Sequence, residues 1–188
     1  MCARARNRRY GTIEPETVPE IAEWLHIVED EKIVTCCEQK QVCALVRTIF
    51  STEKLYLDRE RLKAYMGYQR YFPFDLDPAE KFMTALMLCL YAEGDIPRFK
   101  ILFLYVGRGY GKNGFITYLT FCMLSKANGI LEYDVNVAAT SEDQAKTSFN
   151  ELKNLFDRSP STFKSGFSWT KTEIQNKATS SKVLSAVA

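Results

Sequence analysis

The first half of the chain alternates apolar and polar residues in steps of three and four. Val18, Ile21, Ala22, Leu25 and Val28 form one series, and Val42, Leu45, Val46 and Ile49 a second. That spacing predicts two amphipathic helices. A third, shorter helix is expected over residues 58–68, and Tyr71-Phe72-Pro73-Phe74 breaks the pattern. Asp77-Pro78-Ala79-Glu80 then combines an N-cap, a first-turn proline and an acid at the capping-box position. A further helix is expected to start there, with Met83, Leu86, Met87 and Leu90 on its buried face.

Beyond the turn residues Glu93-Gly94-Asp95-Ile96-Pro97 the period changes. Ile101-Leu102-Phe103-Leu104-Tyr105-Val106 is continuously apolar, as in a strand covered on both faces. It leads into Gly107-Arg108-Gly109-Tyr110-Gly111-Lys112-Asn113-Gly114, after which Phe115, Leu119, Cys122 and Met123 recur at helical spacing up to the stop signal Asn128-Gly129. Residues 130–139 are a second strand candidate. Thr140-Ser141-Glu142-Asp143-Gln144 opens another helix, with Ser141 as N-cap and Ala145, Phe149, Leu152 and Phe156 facing inward. The order strand, helix, strand, helix is that of a parallel sheet covered by helices. A Ser- and Thr-rich stretch over 159–168 precedes an expected hairpin through residues 169–174 and 183–187. Two parallel strands with an open face make a poor finished domain, and the apolar pattern still runs at the last residue, Ala188. A piece of a longer protein is therefore expected.

Charge adds a restriction. The 25 Lys and Arg stand against 23 Asp and Glu, for a net charge of +2. Arg4, Arg6, Arg8 and Arg9 fall in the first ten residues with no acid among them, so the remainder is slightly acidic. A nucleic-acid footprint built on bulk charge is not expected, because counterion release needs clustered basic residues. Cys2, Cys36, Cys37, Cys43, Cys89 and Cys122 contain no C-x-x-C pair, and His26 is the sole histidine. A structural zinc site is not expected, and the cysteines read as free thiols of a reducing compartment. Nor is Ser-His-Asp or Cys-His catalysis expected unless His26 serves, and that residue falls in the first helix. No apolar leader follows the arginines. The longest apolar stretch, residues 82–92, is about half the ~20 residues of a membrane span. These features predict a soluble, cytoplasmic protein with no membrane partner.

The glycine-rich string carries the chemistry. Such a turn between a strand and a helix aims several backbone N–H groups at one point, where the helix N-terminus adds partial positive charge, and phosphate is the natural guest. Lys112 at the helix start would reach β- and γ-phosphate oxygens, as in the P-loop. Val106 replaces the first glycine of the strict motif, and Asn113 replaces the Ser or Thr that ligates magnesium. Gly109, Gly111 and Gly114 also fit G-x-G-x-x-G, with Asp134 about 20 residues further on, the dinucleotide-binding arrangement of an oxidoreductase. A plain strand-to-helix turn is the third alternative. No strand ending in a carboxylate is visible after Lys112, although a hydrolysing P-loop enzyme needs one. The fold class read from this pattern is α/β: an incomplete P-loop NTPase core over residues 76–188, preceded by a small helical segment over 1–75.

Residues 106–116, from Val106 through the glycines to Ile116, resemble the divergent Walker A of the large terminase subunit of tailed double-stranded DNA bacteriophages, the ATP-driven motor that packages DNA. The similarity extends upstream to Phe72-Pro73-Phe74-Asp75-Leu76-Asp77-Pro78 with Glu80-Lys81-Phe82, and downstream to Ala138-Ala139-Thr140-Ser141-Glu142-Asp143-Gln144-Ala145. The resemblance implies a parallel-sheet ATPase followed, in the whole protein, by a ribonuclease H-type nuclease. ATP and Mg2+ are the implied cofactors. Double-stranded DNA, a portal protein, a small terminase subunit and further copies of the chain are the implied partners, in the host cytoplasm. Carried over by position, Lys112 holds the phosphates, Gly107, Gly109 and Gly111 let the backbone approach them, and Arg108 neutralises charge developing on the γ-phosphate or reports nucleotide state. Tyr110, Asn113 and Gly114 complete the loop. Glu80 and Phe82 fall where the family often places a platform near the adenine, with Ala79 where a Trp is common. Another P-loop NTPase, such as a helicase-like translocase, is the nearest alternative.

Overall fold

The computed structural model describes residues 8–107, 109–138 and 142–184. They form two compact units, one of residues 8–63 and 76–103, the other of residues 64–75 and 104–184. The chain thus crosses between them more than once.

In the first unit, α1 (Pro19–Glu29) and α2 (Cys37–Thr52) form where the periodicity places them. Pro19 opens α1, and Ile21, Leu25 and Val28 are fully buried, as expected. The buried face of α2 is Cys43, Val46, Ile49 and Phe50, while Val42 and Leu45 are 45% and 52% exposed. Cys43 packs as a small hydrophobe and Phe50 contributes the largest side chain, so the stripe they define prevails over the one through Val42. β1 (Leu55–Leu57) pairs with β2 (Leu90–Ala92), and β2 with β3 (Ile96–Pro97), all antiparallel. The last link turns through Gly94 and Asp95, both in the left-handed region.

Helix α3 (Arg59–Tyr68) starts in this unit with Asp58 as cap, its Oδ1 accepting from the Arg61 amide at 3.0 Å, and ends in the other. The capping box of α4 (Pro78–Cys89) is formed as expected: the Glu80 amide donates to Asp77 Oδ1 at 2.9 Å, and the Asp77 amide to Glu80 Oε2 at 3.1 Å. Its buried face runs through Phe82, Ala85, Leu86 and Cys89, with Met83 and Met87 only half-buried. Leu90 is buried but belongs to β2.

The second unit is built on two helices and a sheet. α5 (Lys112–Leu124) is apolar nearly all round, with Phe115, Tyr118, Phe121, Cys122 and Leu124 buried. α6 (Glu142–Arg158) is amphipathic and buries Phe149, Leu152 and Phe156 as expected; the expected cap Ser141 lies outside the described residues. After the short α7 (Pro160–Phe163), β5 (Phe167–Trp169), β6 (Glu173–Asn176) and β7 (Lys182–Leu184) form an antiparallel meander. β7 pairs in parallel with β4 (Val135–Asn136), giving the order β4-β7-β6-β5. Phe121, Phe156, Phe163 and Phe167 meet in the core at centroid separations of 4.6–6.3 Å.

A mixture of helices and strands is observed, with one antiparallel and one mixed sheet, but a parallel sheet entered through residues 101–106 is not. That run is extended and outside any ladder, with Ile101, Phe103 and Tyr105 86%, 85% and 92% exposed. The second strand candidate shrinks to the two residues of β4. Antiparallel neighbours close through short turns, whereas a parallel pair needs a long crossover. Here β7, carried in by its own meander, takes the free side of β4, and the sheet is mixed.

Candidate functional site

The glycine string ends at the start of α5, where Gly111 is the N-cap in the left-handed region with φ +93°. Gly109 has φ +89°, so both positions need a backbone that other residues adopt at a cost. A Cβ added at Gly107, Gly109 or Gly111 would meet no atom of the described residues, its chain neighbours aside, within 4 Å. The Tyr110 amide donates to Gly107 O at 3.4 Å and the Phe115 amide to Gly111 O at 3.1 Å, the latter the first bond of the helix. Among the described residues no side chain caps this end, and no acid stands in its first turn.

Lys112 is the first helical residue and is exposed, as is Asn113. The structure therefore places Gly109 and Gly111, in left-handed backbone, directly before Lys112 at the positive end of a 13-residue helix. That arrangement suits a phosphate. Arg108 lies outside the described residues. Gly114 has a packing role: a Cβ there would stand 3.1 Å from Cε1 of Phe74. The expected strand before the loop is absent, so the loop is carried by α5 alone.

For a divalent cation the same residues offer less. Asn113 follows Lys112 in sequence, where the P-loop has its Ser or Thr, and no group of three or more His, Cys, Asp or Glu among the described residues could hold a metal. Thr117, one turn further on, has its hydroxyl 2.9 Å from Asn113 O and 2.8 Å from Oε2 of Glu151. Glu151 was not singled out from the sequence. Its signal was available in the polar residues at 151, 154 and 158, opposite the apolar face of α6. Glu80 and Phe82 are committed elsewhere, the first to the α4 cap and the second to the core of its own unit. Burial raises the Glu80 carboxyl above the ordinary carboxylate range.

Cys43, Cys89 and Cys122 are buried, and Cys36 and Cys37 are exposed. Among the described residues no helix is long and apolar enough to cross a membrane. Compared with family models, with curated proteins and with solved structures, the chain matches none of them.

Proposed function

We propose that residues 107–114 and the start of α5 bind the phosphates of ATP with Mg2+, and that the chain is the ATP-binding part of a DNA-packaging motor of the large-terminase type. The observation that carries this reading is Lys112 as first residue of an uncapped helix, approached through two left-handed glycines. Backbone amides, helix dipole and ammonium all favour an anion at one point. The resemblance of residues 72–82, 106–116 and 138–145 to terminase supplies the rest: double-stranded DNA as the cargo, with a portal, a small subunit and further copies of the chain as partners in the host cytoplasm.

In this reading Gly107, Gly109 and Gly111 bring the backbone against the phosphates while Lys112 neutralises them. Arg108 enters on the resemblance alone, as the cation for charge on the γ-phosphate. Magnesium accompanying the triphosphate adds charge neutralisation. Among the described residues no strand following the loop ends on an acid, so this chain binds nucleotide without efficient hydrolysis.

The test is calorimetric titration with a non-hydrolysable ATP analogue and Mg2+, beside titration with NAD. ATP-analogue binding that depends on Lys112 supports the reading. Saturable NAD binding that ATP does not displace would replace it by the dinucleotide alternative. Asp134 argues against that alternative, since it precedes β4 instead of ending it.

A further inference from the structure

Beside the glycine loop, the second unit holds a cleft of about 300 Å3. One wall is a polar row on α6. Glu151, Asn154 and Arg158 follow each other by three and four residues and so share one helix face, with the two charged ends about 10 Å apart along the axis. The opposite wall is aromatic: the rings of Phe72 and Phe74 lie 5.5 Å apart, tilted at 53°. Gly114 and Thr117 of α5 complete the lining. With 3.1 Å between Phe74 and any Cβ at position 114, the glycine is what allows that ring its place.

The two ends of the row are in different states. The Glu151 carboxylate accepts from Thr117 through Oε2 at 2.8 Å, and its Oε1 has no hydrogen bond among the described residues. Arg158 pairs with no acid among the described residues. Its neighbour Asp157 is taken, accepting from Lys153 and, at 2.8 Å, from the Trp169 indole N–H; these bonds hold its carboxyl below the ordinary range. A guanidinium without a partner at the rim of an aromatic cleft is a receptor for a planar anion. A carboxylate held in place by a threonine, beside aromatic faces, suits an ammonium.

We propose that this cleft binds a flat aromatic molecule carrying an ammonium group at one end and a carboxylate at the other, with the ring between Phe72, Phe74 and Leu155, the ammonium on Glu151 and the carboxylate on Arg158. Of the loop residues 107–114 the cleft is lined by Gly114, and the proposal stands whether or not the loop binds ATP.

The probe is 6-(aminomethyl)-2-naphthoate, followed by its own fluorescence, with 2-naphthoate and 2-naphthylmethylamine as half-ligands. The full probe should bind saturably and more tightly than either half. Glu151→Gln, which preserves an acceptor for Thr117, should weaken the full probe and the amine about tenfold and leave 2-naphthoate unchanged. Arg158→Ala should weaken both carboxylates to a similar extent and leave the amine unchanged, with Arg158→Lys intermediate. Circular dichroism and thermal melting confirm that each variant is folded. Absence of saturable binding up to millimolar probe, or binding insensitive to both substitutions, overturns the proposal. Displacement of the probe by ATP would overturn it differently, by making the cleft an extension of the nucleotide site.

Discussion

Lys112 is the residue on which the functional reading turns. A charge-assisted hydrogen bond to phosphate is worth about 1.5–3 kcal/mol, so Lys112→Ala should weaken binding of an ATP analogue by at least about tenfold. Calorimetry on the folded variant measures this, and unchanged affinity would place the phosphates elsewhere. The glycines divide at the same scale by what surrounds them. Gly67, near the end of α3, has no atom within 4 Å of an added Cβ, whereas Gly114 faces Phe74 at 3.1 Å. Gly67→Ala should stabilise the protein by about 0.5–1 kcal/mol through backbone entropy. At Gly114 the same gain is offset by overpacking, and Gly114→Ala should come out about 1 kcal/mol or more less stable than Gly67→Ala in urea denaturation. Equal stabilisation by the two would show that Phe74 yields without cost.

Among the elements, α4 shows how local sequence and burial compete. Asp77 and Glu80 satisfy two amides that the helix cannot satisfy itself. Asp77→Ala should cost about 1 kcal/mol. Glu80 does the same work from a buried position, and desolvation raises its carboxyl pKa above the unfolded value. A raised carboxyl pKa means that the folded state holds the proton more tightly than the unfolded state. Its contribution is therefore fully present below the unfolded pKa and is lost as the pH rises through the folded one. Glu80→Gln keeps the capping geometry and removes that titration. The variant should thus gain on the wild type as the pH rises from the acid range to neutrality, with the two curves converging below the ordinary Glu range. Denaturant midpoints of both proteins across that range decide it; parallel curves would mean that Glu80 titrates as in water.

At the scale of the whole molecule, the unusual feature is the extended apolar run where the chain passes from one unit to the other. Buried aromatic residues elsewhere are shielded by helix and sheet, whereas Phe103 and Tyr105 are almost fully exposed on backbone that makes no ladder. Chymotrypsin under native conditions should cut after these two residues before any other aromatic site, and mass spectrometry of the first fragments identifies the cuts. Protection of this run with earlier cleavage elsewhere would mean that it is paired as a strand in solution, as its composition first suggests.

The helices were legible without coordinates because their causes are local. Apolar residues three and four apart, Pro19 and Pro78 in first turns, and Asp77 with Glu80 act within a few residues of each other. The turn at the candidate site was legible for the same reason: glycines and a lysine at a helix start form a single short segment, and the structure has Gly109 and Gly111 in left-handed backbone and α5 beginning at Lys112. Tertiary structure alone decided which flank of a helix is buried, so that α2 turns inward on Cys43 and Phe50, and α4 on Phe82 and Cys89. It also decided which strands pair. Residues 101–106 have the composition of a covered strand, but composition carries no information about who covers it; β7 is drawn to β4 by a meander that begins some thirty residues after β4, and the apolar run is left outside the sheet. The cleft of Glu151, Arg158 and the two phenylalanines belongs to this second class. It exists only because residues far apart in sequence are packed side by side, and no local pattern could place Phe74 over Gly114.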